Sequence, residues 1–161
     1  MDEILEELEQ DDLTGQYLTF YIEETVYSLP LTHVIEIIGI QRVTHIPGMP
    51  HYIKGIVNLR GKVVPILDVR LKFGQPERPY DDKTCIVIVL INEMNVGLIV
   101  DMVEEVIAMD KANMSPPPLS DRRIGESFLD SIATIGDKVI MNIDCEKFFQ
   151  TDIADLYPIE S

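Results

Sequence analysis

An internal repeat constrains this chain more than any other feature. Ile22-Glu23-Glu24 recurs as Ile91-Asn92-Glu93, sixty-nine residues later, and Tyr27-Ser28-Leu29-Pro30-Leu31 recurs at the same spacing as Val96-Gly97-Leu98-Ile99-Val100. Val34, Glu36 and Ile37-Ile38 continue that register in Val103, Glu105 and Val106-Ile107. Further along, the spacing lengthens by seven residues. Tyr52-Ile53 then matches Phe128-Leu129, Ile56 matches Ile132, Lys62-Val63-Val64 matches Lys138-Val139-Ile140, Leu67-Asp68 matches Ile143-Asp144, and Phe73 matches Phe149. The added residues fall around Met114 to Arg123, where Ser115-Pro116-Pro117-Pro118 reads as an extended loop. A repeat of this length means one supersecondary unit used twice.

Each unit reads as five short strands. Tyr17–Ile22 alternates and is rich in β formers, Glu23-Glu24 makes a turn, and Val26–Leu29 resumes, which predicts a hairpin. Val34–Ile40 predicts a third strand. Pro47-Gly48-Met49-Pro50 breaks the chain, and His51–Lys54 fits one helical turn. Gly55–Arg60 and Lys62–Leu67 predict a second hairpin, followed by a short helix over Asp68–Phe73 with Asp68 as N-cap. Small mostly apolar strands suit closed barrels, which remove exposed edges. A unit of about 60–70 residues is marginal alone, so the two are expected to pack together and leave a groove between them. The boundaries follow: an acidic flexible tail over 1–14, a first subdomain over about 15–74, a second over about 83–150, a Pro-rich loop over 113–123 and an acidic tail over 151–161.

Charge removes several function classes. The net charge is −15, which argues against a phosphate-backbone binder; aromatic content is 7% with no Trp, too little for a base-stacking platform. Residues 1–12 carry seven acids and no base, whereas residues 36–75 carry Arg42, Lys54, Arg60, Lys62, Arg70 and Lys72 against Glu36 and Asp68. That basic stretch reads either as a contact face for an acidic partner or as solvated strand ends. No apolar run is long enough for a transmembrane helix, and Met1-Asp2-Glu3-Ile4 is no secretory signal. Cys85 and Cys145 sit among apolar residues, as buried thiols of a reducing compartment do.

Catalytic constellations are missing from the pattern. Paired aspartates could suggest an aspartic protease, but Asp68 precedes Val69-Arg70 and Asp144 precedes Cys145-Glu146, not Thr or Ser followed by Gly. His33, His45 and His51 have no zinc-helix spacing and the cysteines no CxxC spacing, so neither a metal nor a cofactor is expected. Phosphate loops and nucleophile elbows are absent. The expectation is a non-enzyme.

The copies differ most at the second hairpin. Gly55-Ile56-Val57-Asn58-Leu59-Arg60-Gly61 stands where the other copy has Ser131-Ile132-Ala133-Thr134-Ile135-Gly136-Asp137. Arg60 replaces Gly136 at a hairpin end, with Asn58 nearby. A guanidinium there either makes fork-like hydrogen bonds to a partner or pairs internally with Glu36 or Asp68. Val34, Ile37 and Ile38 cannot all face one small barrel.

The segment Ile53-Lys54-Gly55-Ile56-Val57-Asn58-Leu59-Arg60-Gly61-Lys62-Val63-Val64-Pro65-Ile66-Leu67-Asp68 closely resembles the signature of the CheW family of chemotaxis coupling proteins, and the likeness extends from about Gly15 to Phe149. The resemblance implies a mainly β protein of two tandem five-stranded SH3-like β-barrel subdomains with short helices. It implies a cytoplasmic, non-catalytic adaptor, monomeric in isolation, recruited to membrane-associated arrays. There it would link the CheA histidine kinase regulatory domain to the cytoplasmic tips of methyl-accepting chemoreceptors. By matched position, Val34, Glu36, Ile37, Val57, Asn58 and Arg60 are expected to meet the receptor. Ile40, Gln41, Val43, Val96, Leu98 and Val100 are expected to meet the kinase. Family members that steer pili or second-messenger enzymes share the pattern, so the system served is left open.

Overall fold

The computed structural model describes residues 13–117 and 128–149. Residues 1–12 of the expected N-terminal tail (1–14), residues 118–127 of the expected Pro-rich loop, and residue 150 with the whole expected C-terminal tail (151–161) lie outside the described residues.

Every strand of the first repeat has its counterpart in the second. β1 (Gln16–Ile22), β2 (Thr25–Pro30), β3 (Val34–Gly39), β4 (Ile53–Leu59) and β5 (Lys62–Asp68) correspond in order to β6 (Cys85–Ile91), β7 (Met94–Val100), β8 (Met102–Ala108), β10 (Leu129–Ile135) and β11 (Lys138–Ile143). β9 (Met114–Ser115) pairs with Ile132 of β10 as Thr44, in an isolated bridge, pairs with Ile56 of β4 in the first repeat. The helix α1 (Val69–Lys72) is matched by a helical stretch at 145–149. Asp68 caps α1, its Oδ1 accepting from the Leu71 amide at 3.2 Å, and Asp144 does the same for the Lys147 amide at 3.1 Å. The two aspartates are thus helix caps in both copies. The expected helical turn at His51–Lys54 is not formed; a turn closed by the Ile53 amide on the Pro50 carbonyl leads straight into β4. The extended residues of β4 are needed to pair along β5, and that ladder outweighs one isolated helical turn.

The strands assemble into two sheets, ordered β8-β1-β2-β11-β10-β9 and β3-β6-β7-β5-β4. Exchanging each strand for its repeat partner turns the second order into the first five strands of the other. The sheets therefore do not coincide with the sequence halves. Each combines the first hairpin of one repeat with the later strands of the other. Asp101 alone separates β7 from β8, too short a link for a hairpin reversal, and the chain runs on into the opposite sheet. Leu31–His33, a single 3-10 turn, carries β2 into β3 in the equivalent way. The mainly β architecture of two subdomains expected above holds, as two sheets packed on each other. No ladder joins the outer strands of either sheet directly among the described residues, but in each the chain beyond the leading strand returns to the last one, Thr44 bridging Ile56 of β4 and β9 pairing with β10.

That packing places the main core between the sheets rather than a groove. Leu18, Phe20 and Leu29 of one sheet meet Val87, Val96, Leu98 and Val100 of the other in one buried cluster. Phe73 and Phe148, at the helical ends of the two repeats, meet edge to face at 5.9 Å within it. Each sheet also covers a smaller cluster of its own: Val57, Val64, Ile66, Ile86, Ile88 and Ile99 in one, Val26, Met109, Ala133 and Ile140 in the other. Val57 and Val64 occupy the repeat positions of Ala133 and Ile140.

The repeats solve one shared core position differently. In the first sheet, the buried Ser28 Oγ donates to Asn142 Oδ1 at 2.6 Å, and Asn142 Nδ2 donates to Ser131 Oγ at 2.9 Å. The equivalent positions in the other sheet are Gly97, Ile66 and Gly55, an apolar solution. A Cβ on Gly97 would stand 2.6 Å from Ile66 Cδ1 and 2.9 Å from Ile86 Cγ2. Gly97→Ala should therefore cost about 1–3 kcal/mol through overpacking. Ile66→Val in the same chain removes the nearer methyl and should recover part of that loss, measured by urea unfolding.

Burial pushes the Cys145 thiol up to about 12, with Asp144 and Glu146 adding to the shift. Cys145 is 3% exposed, and burial raises the half-buried Cys85 thiol as well, so neither is poised as a nucleophile. The linkage has a definite sign. Above pH 9 the unfolded chain releases the thiol proton while the folded chain keeps it, so stability falls as pH rises. The loss should approach about 1.4 kcal/mol per pH unit from this group, running from about 9 to about 12. Urea midpoints at about pH 8 and about pH 10.5 should show it, and Cys145→Ala should flatten the slope.

Candidate functional site

The second sheet ends in β3 on one side and β4 on the other, and the candidate site lies where the β4–β5 turn approaches β3. The β4–β5 turn has Arg60 in the left-handed region, at φ 52, followed by Gly61 at φ 86. Its counterpart Gly136 adopts φ 61. The first turn position has positive φ in both repeats, but only here is it filled by a side chain that must tolerate the strain. The second position differs, Gly61 having positive φ and Asp137 not. Asn58 Oδ1 accepts from the Gly61 amide at 2.9 Å and ties the turn off. The Arg60 guanidinium donates to Glu36 Oε1 across the gap from the β4–β5 turn to β3. Of the internal partners expected for Arg60, Glu36 is the one used. Asp68 is occupied by the Leu71 amide and by the Tyr80 hydroxyl at 2.8 Å.

The pair leaves its cation largely in solvent, with the Arg60 side chain 69% exposed and that of Glu36 20% exposed. Arg60 and Glu36 line a cleft of about 280 Å³ with Ile35, Leu59, Lys62, Val64, Ile88 and Asn95. Around the corner, an open cleft of about 610 Å³ is lined by Ile35, Lys62, Val63, Leu90, Glu93 and Met94, among others. Ile35, Val63 and Leu90 are 42%, 62% and 44% exposed. These three aliphatics escaped the sequence reading. Val63 and Leu90 lie within apolar strand runs that read as core, and only the sheet assignment shows which side faces solvent.

The other expected receptor residues take supporting places. A register shift between Val34 and Glu36 puts Val34 and Ile37 on the side of the main core, while Ile38 packs on the smaller cluster. The strand thus serves two cores, as the crowding of its apolar residues predicted. Val57 is buried beneath the turn. Glu36, Asn58 and Arg60 form the polar surface, and Val34, Ile37 and Val57 hold it from below.

The expected kinase residues divide. Ile40 and Gln41 are exposed on the segment after β3, and Val43 is half-buried against the smaller cluster. Val96, Leu98 and Val100 have no exposed surface; they lie on β7, in the middle of the sheet, and point into the main core. Their strand looked available only because the sequence does not reveal that β6 and β5 flank it on both sides. Buried as they are, Val96, Leu98 and Val100 offer a partner no surface; of the expected set, Ile40, Gln41 and Val43 do.

The first sheet carries a quasi-equivalent arrangement. Lys138 Nζ donates to Glu104 Oε1 at 2.7 Å and to Glu105 Oε2 at 3.3 Å, bridging β11 to β8. The hydrogen bond to Glu104 raises the Lys138 pKa. Glu105 is the repeat counterpart of Glu36. An adjacent cleft of about 560 Å³ is lined by Tyr21, Glu24, Thr25, Val26, Asp137, Lys138, Val139 and Met141. Each sheet therefore ties its second hairpin to the strand at its leading edge, β8 or β3, with an ion pair. In the first it is made by the lysine beyond the turn, and in the second by the strained arginine within it.

Among the described residues, no group of three His, Cys, Asp or Glu side chains is placed to hold a metal ion, and no helix is long and apolar enough to cross a membrane.

Comparison with known proteins places this geometry in context. A family model described as CheW-like domain matches residues 16–152. The chain is 31% identical over 137 residues to a chemotaxis protein CheW of Klebsiella aerogenes, covering 85% of this chain and 82% of that one. It is 28% identical over 145 residues to a chemotaxis protein CheW of Treponema pallidum, covering 88% and 85%. The crystal structure of the scaffolding protein TtCheW from Thermoanaerobacter tengcongensis superposes with a TM-score of 0.76 at 37% identity, covering 81% of this chain and 88% of that one.

Proposed function

This chain belongs to the CheW-like domain family, and from that premise we propose that it is a non-catalytic adaptor of chemotaxis, coupling chemoreceptors to the CheA histidine kinase. The observation that carries the reading is Arg60. A charged, largely exposed side chain is kept at a left-handed turn position that the other repeat fills with glycine. Strain retained at an exposed polar residue points to use by a partner. The receptor tip, a helical hairpin, would engage Arg60, Glu36 and Asn58, with Val34, Ile37 and Val57 as their support. The kinase's regulatory domain would engage the segment Ile40, Gln41 and Val43. Signal would pass as coupling free energy between the two contacts, without chemistry on this chain. The protein would act in the cytoplasm, at the arrays its partners form.

A binding titration tests this. Labelled protein is titrated with the CheA regulatory domain and, separately, with a receptor-tip fragment. Saturable binding to both is expected, with Gln41→Arg weakening only the kinase and Asn58→Ala only the receptor. Binding to neither partner would overturn the coupling role, and binding to receptor alone would reduce it to a receptor-only adaptor.

A further inference from the structure

The repeat makes the two ends of the inter-sheet seam equivalent in backbone, yet only one is tied by charge. Arg70 of α1 has a side chain 5% exposed. Its Nη1 donates to Glu23 Oε1 in the β1–β2 turn and, at 3.4 Å, to the Pro76 carbonyl of the connector between the repeats. Its Nε and Nη2 donate to the Asp101 carboxylate at 3.3 and 2.5 Å. Asp101 Oδ2 also accepts from the Glu23 amide at 2.7 Å and lies 3.5 Å from Arg78 Nη2. Burial disfavours the Arg70 charge, and the hydrogen bonds to Asp101 and Glu23 outweigh it, raising the pKa. One guanidinium therefore joins a turn of the first sheet, the helix after β5 of the second, the joint where the chain crosses between them, and the connector.

At the other end of the seam the equivalent residues are Asn92 for Glu23, Glu146 for Arg70 and Thr32 for Asp101. They include no cation, so the network cannot form there. That corner instead holds a cleft of about 290 Å³ lined by Tyr17, His33, Asp130 and Glu146, among others. We infer that the Arg70 cluster is a fulcrum: it pins the two sheets at one corner of their seam, and the sheets move relative to one another by opening at the opposite corner, around Thr32, His33 and Glu146. A buried cation with two carboxylates resists separation strongly, because parting it leaves uncompensated buried charge. The far corner carries no such penalty.

Native-state hydrogen exchange of the full chain tests the inference and is independent of which partners bind. In the unaltered protein, amides of residues 23–25, 70–75 and 101–102 should exchange only with global unfolding. Those of residues 31–34 and 143–147 should exchange through a local opening at least tenfold faster. Arg70→Met should accelerate the first set at least tenfold, and Glu23→Gln, a milder change, should do so in part. The triple substitution Asn92→Glu, Thr32→Asp, Glu146→Arg, which copies the cluster to the open corner, should slow exchange there. Equal protection at both corners of the unaltered protein would overturn the fulcrum, even if Arg70→Met fails to fold. So would a folded Arg70→Met variant with unchanged exchange at residues 23–25.

Discussion

Arg60→Gly is expected to leave the protein at least as stable as before while receptor-tip affinity falls tenfold or more. A non-glycine residue in the left-handed region carries about 1–2 kcal/mol of strain, and glycine relieves it, as Gly136 does at φ 61 in the other repeat. Against that gain stands the lost pair with Glu36. It is solvent-exposed on the arginine side, and such pairs contribute about 0–1 kcal/mol. The two nearly cancel or favour the variant. Binding should move the other way. An arginine anchor at an interface commonly contributes about 2 kcal/mol or more, and tenfold in affinity corresponds to about 1.4 kcal/mol. Thermal unfolding and a titration with the receptor-tip fragment read the two quantities separately. A variant that melts much earlier would show Arg60 to be a structural brace, and an unchanged affinity would remove Arg60 from the receptor site.

Gly55→Ala should have the largest effect on stability of any single methyl added to this chain. Gly55 adopts φ 143, a region nearly closed to other residues. An added Cβ would lie 2.0 Å from the Thr44 carbonyl oxygen. That oxygen accepts from the Ile56 amide at 2.9 Å, and the Thr44 amide donates back to the Ile56 carbonyl at 2.8 Å. The methyl must break this bridge and push the segment that follows β3 away from β4. A loss of about 3–4 kcal/mol or more is expected, read as a lower denaturant midpoint or failure to accumulate folded protein. Gly48→Ala is the matched control. Gly48 has φ 83 with open space around it, so it should show only the left-handed penalty of about 1–2 kcal/mol. Equal effects at the two positions would mean that the contact with Thr44 is not what the fold requires of Gly55.

Much of the architecture was legible because its signals are local. Hairpins are set by turn residues and alternation, and helix caps by one side chain. The matched aspartates 68 and 144 and the matched turns at Glu23 and Asn92, at φ 55 and φ 49, could be read residue by residue. Arg60 stood out for the same reason: its repeat counterpart is glycine. The pairing with Glu36 was one of two internal options, and the choice belongs to the sheet, which brings β3 beside the β4–β5 turn and engages Asp68 elsewhere.

The repeat, the strand count, the capped helices and the family signature are properties of short stretches of chain, and the sequence by itself determined them. Which strands pair was decided only in three dimensions. The one-residue link at Asp101 and the 3-10 turn at Leu31–His33 send β8 and β3 into opposite sheets. That exchange fills the expected groove with core. It buries Val96, Leu98 and Val100, which the family resemblance had offered as a contact surface, and exposes Ile35, Val63 and Leu90. An apolar strand residue has two faces to choose from, and the neighbour that covers one of them lies far away in sequence.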